Sequence, residues 1–386
     1  MNKFVYASLI GLLCLIPNIT FGAEIIHDTE KSYVARVVSI DSEVESITPG
    51  LGLKGLQQTL TVEITEGLER GKQISVSNDY MRLSAGDKIF LLETTRTEDG
   101  AKLYSVQDPY RLNFLIALGV IFIILVIIFG GMQGVRGLVS LLGSLVLILG
   151  VLLPGILHGY QPVLMSIFVS SLIIVVGSYV THGWNRTTSS AVVGMILTVI
   201  VTGVFGYFAV LGTHLSGFES DEAIYLNMST GGSLNFTGLL FGGIMIGLLG
   251  VLYDVAIGQA VSVEELHALG PHISRTKIYR RALRMGREHI GALVNTLAIA
   301  YVGASLPLLL LFFASNAPVA LTLNKEIFST EIVRTLVGSI GLVLAVPITT
   351  YISVVMLVKK NPHSEENSEQ NIKAELAAID GHQHHH

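Results

Sequence analysis

Charge is scarce in this sequence. Of its 386 residues, 14% are Asp, Glu, Lys or Arg, against about 25% in soluble domains. Between Pro109 and Gly217 there is no acidic residue, and only Arg111, Arg136 and Arg186 carry charge. A soluble enzyme of this length scatters charges over its whole surface, so that class is excluded. Cysteine is nearly missing as well. Cys14 stands alone, which rules out a disulfide framework within the chain and a cysteine-built metal site. The signatures of soluble catalysis are absent: no HExxH and no GxSxG occurs, and GLERGK at 67–72 is one residue short of a phosphate loop and lacks the Ser or Thr after Lys. No acid–base pair or metal-ligand set stands out, since His158, His182 and His214 fall at the ends of apolar runs. The reading is a non-enzyme with no cofactor, no metal and no nucleic-acid partner.

What the chain has instead is apolar length. Hydrophobic residues make up 51% of it, and runs of about 20 apolar residues cross a bilayer core about 30 Å thick. Seven spans are expected, at about 113–132, 137–157, 161–180, 189–211, 237–260, 290–314 and 334–358. Ahead of them, residues 1–23 read as a signal peptide or short anchor, with Lys3, an apolar stretch from Phe4 to Ile16, and Gly22 and Ala23 near a cleavage zone. Residues 24–111 read as a β domain, OB-like or a small sandwich. Leu60, Val62 and Ile64 alternate with Thr61, Glu63 and Thr65, and β-rich runs recur at Tyr33–Ile40, Ile74–Val76, Ile89–Leu92 and Leu103–Val106. Gly67, Gly71 and Gly86-Asp87 punctuate them as turns. The domain is acidic, with fifteen Asp and Glu against nine Lys and Arg over 24–108, which bears mainly on solubility.

Lys and Arg then set the orientation. Arg136, Arg186, the basic residues of 275–287, Lys359 and Lys360 fall on one side, while 155–160 has none and 212–236 holds only Glu219, Asp221 and Glu222. The expected fold is a polytopic α-helical membrane protein, seven spans over 112–358, with an extracytoplasmic β domain. A polar cytoplasmic tail, 359–386, follows and ends in GHQHHH.

Asp254 is the residue that needs explaining. It sits in GLLGVLYDVAIGQAVSVEEL (247–266), about 25 Å down the fifth span at 1.5 Å per residue. A carboxylate facing lipid there costs several kcal/mol, so it belongs in a bundle interior or a wet cavity. Gly258, Ser262 and Glu265 continue its face at helical spacing. Asn295 and Thr296 of the sixth span and Thr349 and Thr350 of the seventh, just past Pro347, fall at compatible depth, with Gln259 a weaker member. Two readings stand: a titratable coupling group for a proton or ion, or a structural hydrogen bond to Asn295 or Thr296. Gly242, Gly243, Gly247, Gly250 and Gly258 read as a helix–helix contact surface, and glycine-rich faces of this kind also permit self-association. Between the fifth and sixth spans, Gly270-Pro271 stops one helix, and a second carries Lys277, Arg280, Arg281, Arg284 and Arg287. That stripe is expected to lie on anionic headgroups of the bilayer or to pair with Glu264 and Glu265.

The segment YSVQDPYR (104–111), FGGMQGVRGLVSLLGSL (129–145), the Asp254 segment, NTLAIAYVGASLPLLLL (295–311) and EIVRTLVGSIGLVLAVPITT (331–350) together resemble the YibE/F-like family of bacterial multi-pass membrane proteins, over about residues 30 to 358. The resemblance implies a cytoplasmic-membrane location and brings no established activity. A looser similarity, an acidic apolar helix leading through a basic helix into a span with Asn or Thr, is to proton-driven exporters of the resistance-nodulation-division type. The chain lacks their large exported domains. The expected function is a proton- or ion-coupled permease or exporter. The alternative is a non-transporting membrane partner whose β domain recruits an envelope or secretion component.

Overall fold

A computed structural model describes residues 29–47, 54–79, 81–96, 100–270 and 273–359. The expected signal peptide or anchor, Pro271 and most of the tail lie outside these residues. Two compact units divide the chain, with the boundary between Gly130 and Gly131.

The first unit contains five antiparallel strands, one for each alternating run in the sequence: β1 (Thr29–Ile47), β2 (Lys54–Ile64), β3 (Gln73–Asn78), β4 (Lys88–Thr95) and β5 (Lys102–Pro109). Their order is β3-β2-β1-β4-β5, a half-barrel. The long β1 serves both halves: its start pairs with β4, and the rest pairs with β2 through register shifts after Val37 and Ile40. Such irregularities bend a strand and raise its twist, which curls the sheet. The period-two residues Leu60, Val62 and Ile64 meet Ala35, Val37, Ile89 and Leu91 in the core. Gly67, Gly71 and Gly86 all take positive φ in the turns, the backbone region glycine enters without a Cβ penalty.

Buried polar groups accompany this core. Gln58 is fully buried and satisfied, its Oε1 accepting from the Leu83 N–H at 2.9 Å and Asn78 Nδ2 at 3.0 Å, its Nε2 donating to the Leu83 carbonyl at 3.0 Å. Glu93, also buried, accepts from the Tyr104 hydroxyl at 2.8 Å and lies 2.9 Å from Lys102 Nζ. Burial alone would push the Glu93 carboxyl up, but Lys102 and Tyr104 outweigh it and hold the carboxyl below its ordinary range.

A helical run follows, α1 (Leu112–Leu147), a π-helical stretch (Ile148–Leu152) and α2 (Leu153–Leu157). It occupies the place of the first two expected spans, and Gly131, near the end of the first of them, takes φ 54°, ψ −140°, outside helical space. The second unit continues with α3 (Pro162–His182), α4 (Arg186–Gly212), α5 (Asp221–Ser229), α6 (Phe236–Leu269), α7 (Arg275–Ala304), α8 (Leu306–Ala314), α9 (Val319–Leu323) and α10 (Glu326–Leu357). Five helical runs among the described residues are long and apolar enough to cross a membrane, and a sixth if α7 and α8 count together. Asn185, Ser220, Asn235 and Ser274 cap α4, α5, α6 and α7 through their side-chain oxygens, satisfying N–H groups that a helix start leaves open.

One expectation about these helices needs correction. The basic stretch and the sixth span are one helix, because α7 runs unbroken from Arg275 to Ala304 and then turns by 69° at Ser305, ahead of Pro307. α6 continues past its apolar part to Leu269 and stops at Gly270, as its sequence leads one to expect. The core of the unit is built by α3, α4, α6 and α10, where Ile174, Met195, Val199, Phe241, Met245, Leu248, Leu252, Leu342 and Val346 interlock. Small residues bring the helices close. A Cβ on Gly194 of α4 would stand 2.7 Å from Thr349 Oγ1 of α10, and one on Gly341 of α10 would stand 2.9 Å from Thr202 Oγ1 of α4.

Candidate functional site

Asp254 does not lie in this core. It is exposed on α6, on a face shared with Gly243, Gly247, Gly250 and Gly258, all exposed as well. The four- and three-residue steps between them keep this face in line along the helix. A Cβ at Gly243, Gly250 or Gly258 would meet nothing within 4 Å, and one at Gly247 would meet only the Tyr301 hydroxyl, at 3.0 Å. The expected contact surface is therefore open within the chain over most of its length. Gly242, one residue off that face, is the glycine of this group that packs tightly, against Ser166 of α3.

Polar company for Asp254 comes from α3. His182, the last residue of that helix, interacts electrostatically with Asp254, and its ring lies 5.7 Å from that of Tyr253. The Tyr253 hydroxyl donates to the Gly177 carbonyl at 3.2 Å, and Gln133 Nε2 donates to the Thr181 carbonyl at 3.2 Å. A carboxylate, an imidazole, a phenol and a carboxamide thus gather where α3 ends. His182 reads from the sequence only as a residue at the edge of an apolar run. Nothing local in the chain ties it to Asp254, 72 positions later.

The remaining candidates fall into separate places. Gln259 and Thr350 meet in the interior: the Thr350 hydroxyl is 2.8 Å from Gln259 Oε1 and 2.6 Å from the Val346 carbonyl. With one proton, it donates to one of them at a time. Gly286 of α7 closes this pair off, since a Cβ there would stand 2.7 Å from Gln259 Nε2. Thr349 is buried on a different side, against Gly194, and its hydroxyl has no hydrogen-bond partner. Asn295 and Thr296 are exposed on α7, Thr296 donating back to the Ala292 carbonyl at 2.9 Å. One polar site shared by three helices is not what the fold builds. It builds a dry Gln259–Thr350 pair and, apart from it, exposed polar groups at Asp254, Asn295 and Thr296.

At the start of α10 a second polar cluster appears that the sequence reading did not single out. Glu326 accepts from the Ser216 and Gly217 N–H groups at 2.7 and 2.8 Å and from the Ser216 hydroxyl at 2.7 Å. Arg334 pairs with Glu331 at 2.7 Å and with Glu219 at 3.7 Å. These contacts tie the loop between α4 and α5 to α10. Beside them, at the α7–α8 elbow, an apolar cavity of about 310 Å³ is lined by Tyr301, Ser305, Leu309, Phe312, Phe328 and Glu331 among others. Among the described residues, no group of three His, Cys, Asp or Glu is arranged to hold a metal ion.

Carboxylate and imidazole are both groups that can exchange a proton. The model of the YibE/F-like protein family matches residues 118–359. The chain belongs to the YibE/F-like family. Neither a curated protein nor a solved structure matches it. The YibE/F-like match takes in Asp254, His182, Gln259, Thr350 and the basic stretch of α7, and leaves strands β1 to β5 outside, so it is narrower than the span from about residue 30 that the sequence resemblance covers. This is a membrane protein of that family, with multiple membrane helices.

Proposed function

We propose that this YibE/F-like protein is a proton- or ion-coupled permease or exporter, with Asp254 as its titratable coupling group and His182 as the partner that senses its charge. One observation carries the reading. Asp254 lies on an exposed face of α6 and not in the apolar core, and it interacts with His182 at the end of α3. An ionised carboxylate turned to hydrocarbon is costly, so such a face is retained where it meets water or a transported ion. In this reading the run Leu112–Leu157 crosses twice, once on either side of Gly131, and α7 with α8 forms one bent crossing, which with α3, α4, α6 and α10 gives seven. The Lys and Arg of α7 support an orientation with that end in the cytoplasm and the β domain outside it, in the bacterial cytoplasmic membrane. Asn295 and Thr296 contribute polar wall on the exposed side of α7. Gln259, Thr349 and Thr350 act as the packed frame against which the α6 face is held.

The test is proton movement into proteoliposomes containing the purified full chain, driven by imposed sodium, potassium or pH gradients. Asp254→Asn, with its melting temperature unchanged, abolishes that movement. If a folded Asp254→Asn protein keeps the wild-type response, the coupling role is wrong.

A further inference from the structure

The first half of α7 presents two opposed faces. At about 100° per residue, Lys277, Arg280, Arg281, Arg284 and Arg287 fall within an arc of about 120°, and all five are exposed. Between Arg275 and His289 the sequence holds six Lys and Arg against the single Glu288. Among the described residues, none of the five makes an ion pair; Glu264, Glu265 and Glu288 are exposed and do not reach them. The pairing with Glu264 and Glu265 that the sequence allows is therefore not made. Arg275 is different. Its guanidinium donates to the Val358 carbonyl at 2.9 and 2.6 Å and to that of Val355 at 3.3 Å, so it caps the end of α10.

The opposite face is fully committed to protein. Ile278 and Ala282 are buried with Val263 of α6 and with Val354 and Val358 at the end of α10. Gly286 rests on Gln259 and Val346. Helix α7 therefore bridges α6 and α10 with one side while offering bare guanidinium groups on the other, and its apolar second half begins at Ile290 directly beyond the last of them.

We propose that this face binds the phosphates of anionic phospholipid headgroups, and that their binding braces the junction of α6, α7 and α10. Charge complementarity selects the occupant. Five unneutralised cations on one arc, next to a segment long and apolar enough to enter the bilayer, match a layer of phosphodiesters at the membrane surface. Arginine suits this, because its planar fork engages phosphate oxygens in pairs. The proposal does not rest on transport activity.

The experiment uses the full chain purified in detergent, presented with equal amounts of phosphatidylglycerol and phosphatidylcholine, with retained lipid read by native mass spectrometry and melting followed in parallel. The wild type retains phosphatidylglycerol preferentially and melts several degrees higher with it. Arg280→Gln/Arg281→Gln/Arg284→Gln lowers that preference by about ten-fold or more and removes the gain in melting temperature. The triple Arg→Lys variant keeps most of both, which guards against a fold defect. Equal retention of the two lipids by the wild type would overturn the proposal. So would an undiminished preference in the Gln variant, or a gain in melting temperature from a soluble polyanion such as heparin but none from phosphatidylglycerol.

Discussion

Adding one methyl group should have opposite effects at two glycines of the helical unit. At Gly194 the new Cβ would stand 2.9 Å from the Cα of Thr349 and 2.7 Å from its Oγ1; at Gly250 it would meet nothing within 4 Å. Ordinary carbon contacts are about 3.5–4.0 Å, so Gly194→Ala forces α4 and α10 apart by several tenths of an ångström at their crossing. Overpacking of this kind costs about 1–3 kcal/mol. Both substitutions gain the same helix propensity, about 1 kcal/mol, and that term cancels in the comparison. Gly194→Ala is therefore expected to be less stable than Gly250→Ala by about 1–3 kcal/mol. Unfolding in mixed micelles of increasing dodecyl sulfate measures the gap. The single tryptophan, Trp184, stacked on Tyr179 at 4.1 Å, supplies the fluorescence signal. Thr349→Ala placed on Gly194→Ala should recover part of the loss, because it removes the hydroxyl but leaves the backbone Cα in place. Equal stability of the two single variants would refute the reading that α4 and α10 are packed to contact here while the α6 face is open.

Two further outcomes follow from the polar pairs. Thr350→Val should cost about 1–3 kcal/mol by leaving the buried Gln259 amide without its partner, whereas Gln259→Leu/Thr350→Val should cost less than either single change, since no polar group is then stranded; the same micelle titration decides, and additive losses would contradict it. In the β domain, the Glu93 carboxyl is held below its ordinary value, so its contribution is fully present above the unfolded value of about 4.3 and is lost as pH falls through the lower folded value. Glu93→Gln should accordingly flatten the acid limb of the β domain's stability, followed by circular dichroism against pH, and an unchanged acid limb would contradict the assignment.

The strands were legible because their chemistry is local. Period-two alternation at Leu60, Val62 and Ile64 needs a core on one side only, and the sheet supplies it. Gly131 interrupts α1 at a positive φ that is open to glycine. The extent of α7 was harder, because its basic stretch runs without a break into the apolar run, and its inner face is visible only once Ile278 meets Val263 and Val354. The candidate site was legible in its parts and not in its assembly. Asp254 and Gln259 are five residues apart, about 140° around a helix, so one is exposed while the other is buried. Thr349 and Thr350 differ by about 100° and turn to α4 and α6 respectively. Depth alone groups these residues together, and the angle around each helix separates them. The meeting of His182 with Asp254 is not readable in the sequence, since it depends on how α3 and α6 pack.

The most direct test of the coupling role of Asp254 is the pH dependence of proton movement in proteoliposomes, measured for wild type, Asp254→Asn and His182→Gln under the same imposed cation gradients. The account predicts movement in the wild type, none in a folded Asp254→Asn protein, and a displaced pH profile in His182→Gln. Wild-type movement and an unaltered profile in Asp254→Asn would contradict it.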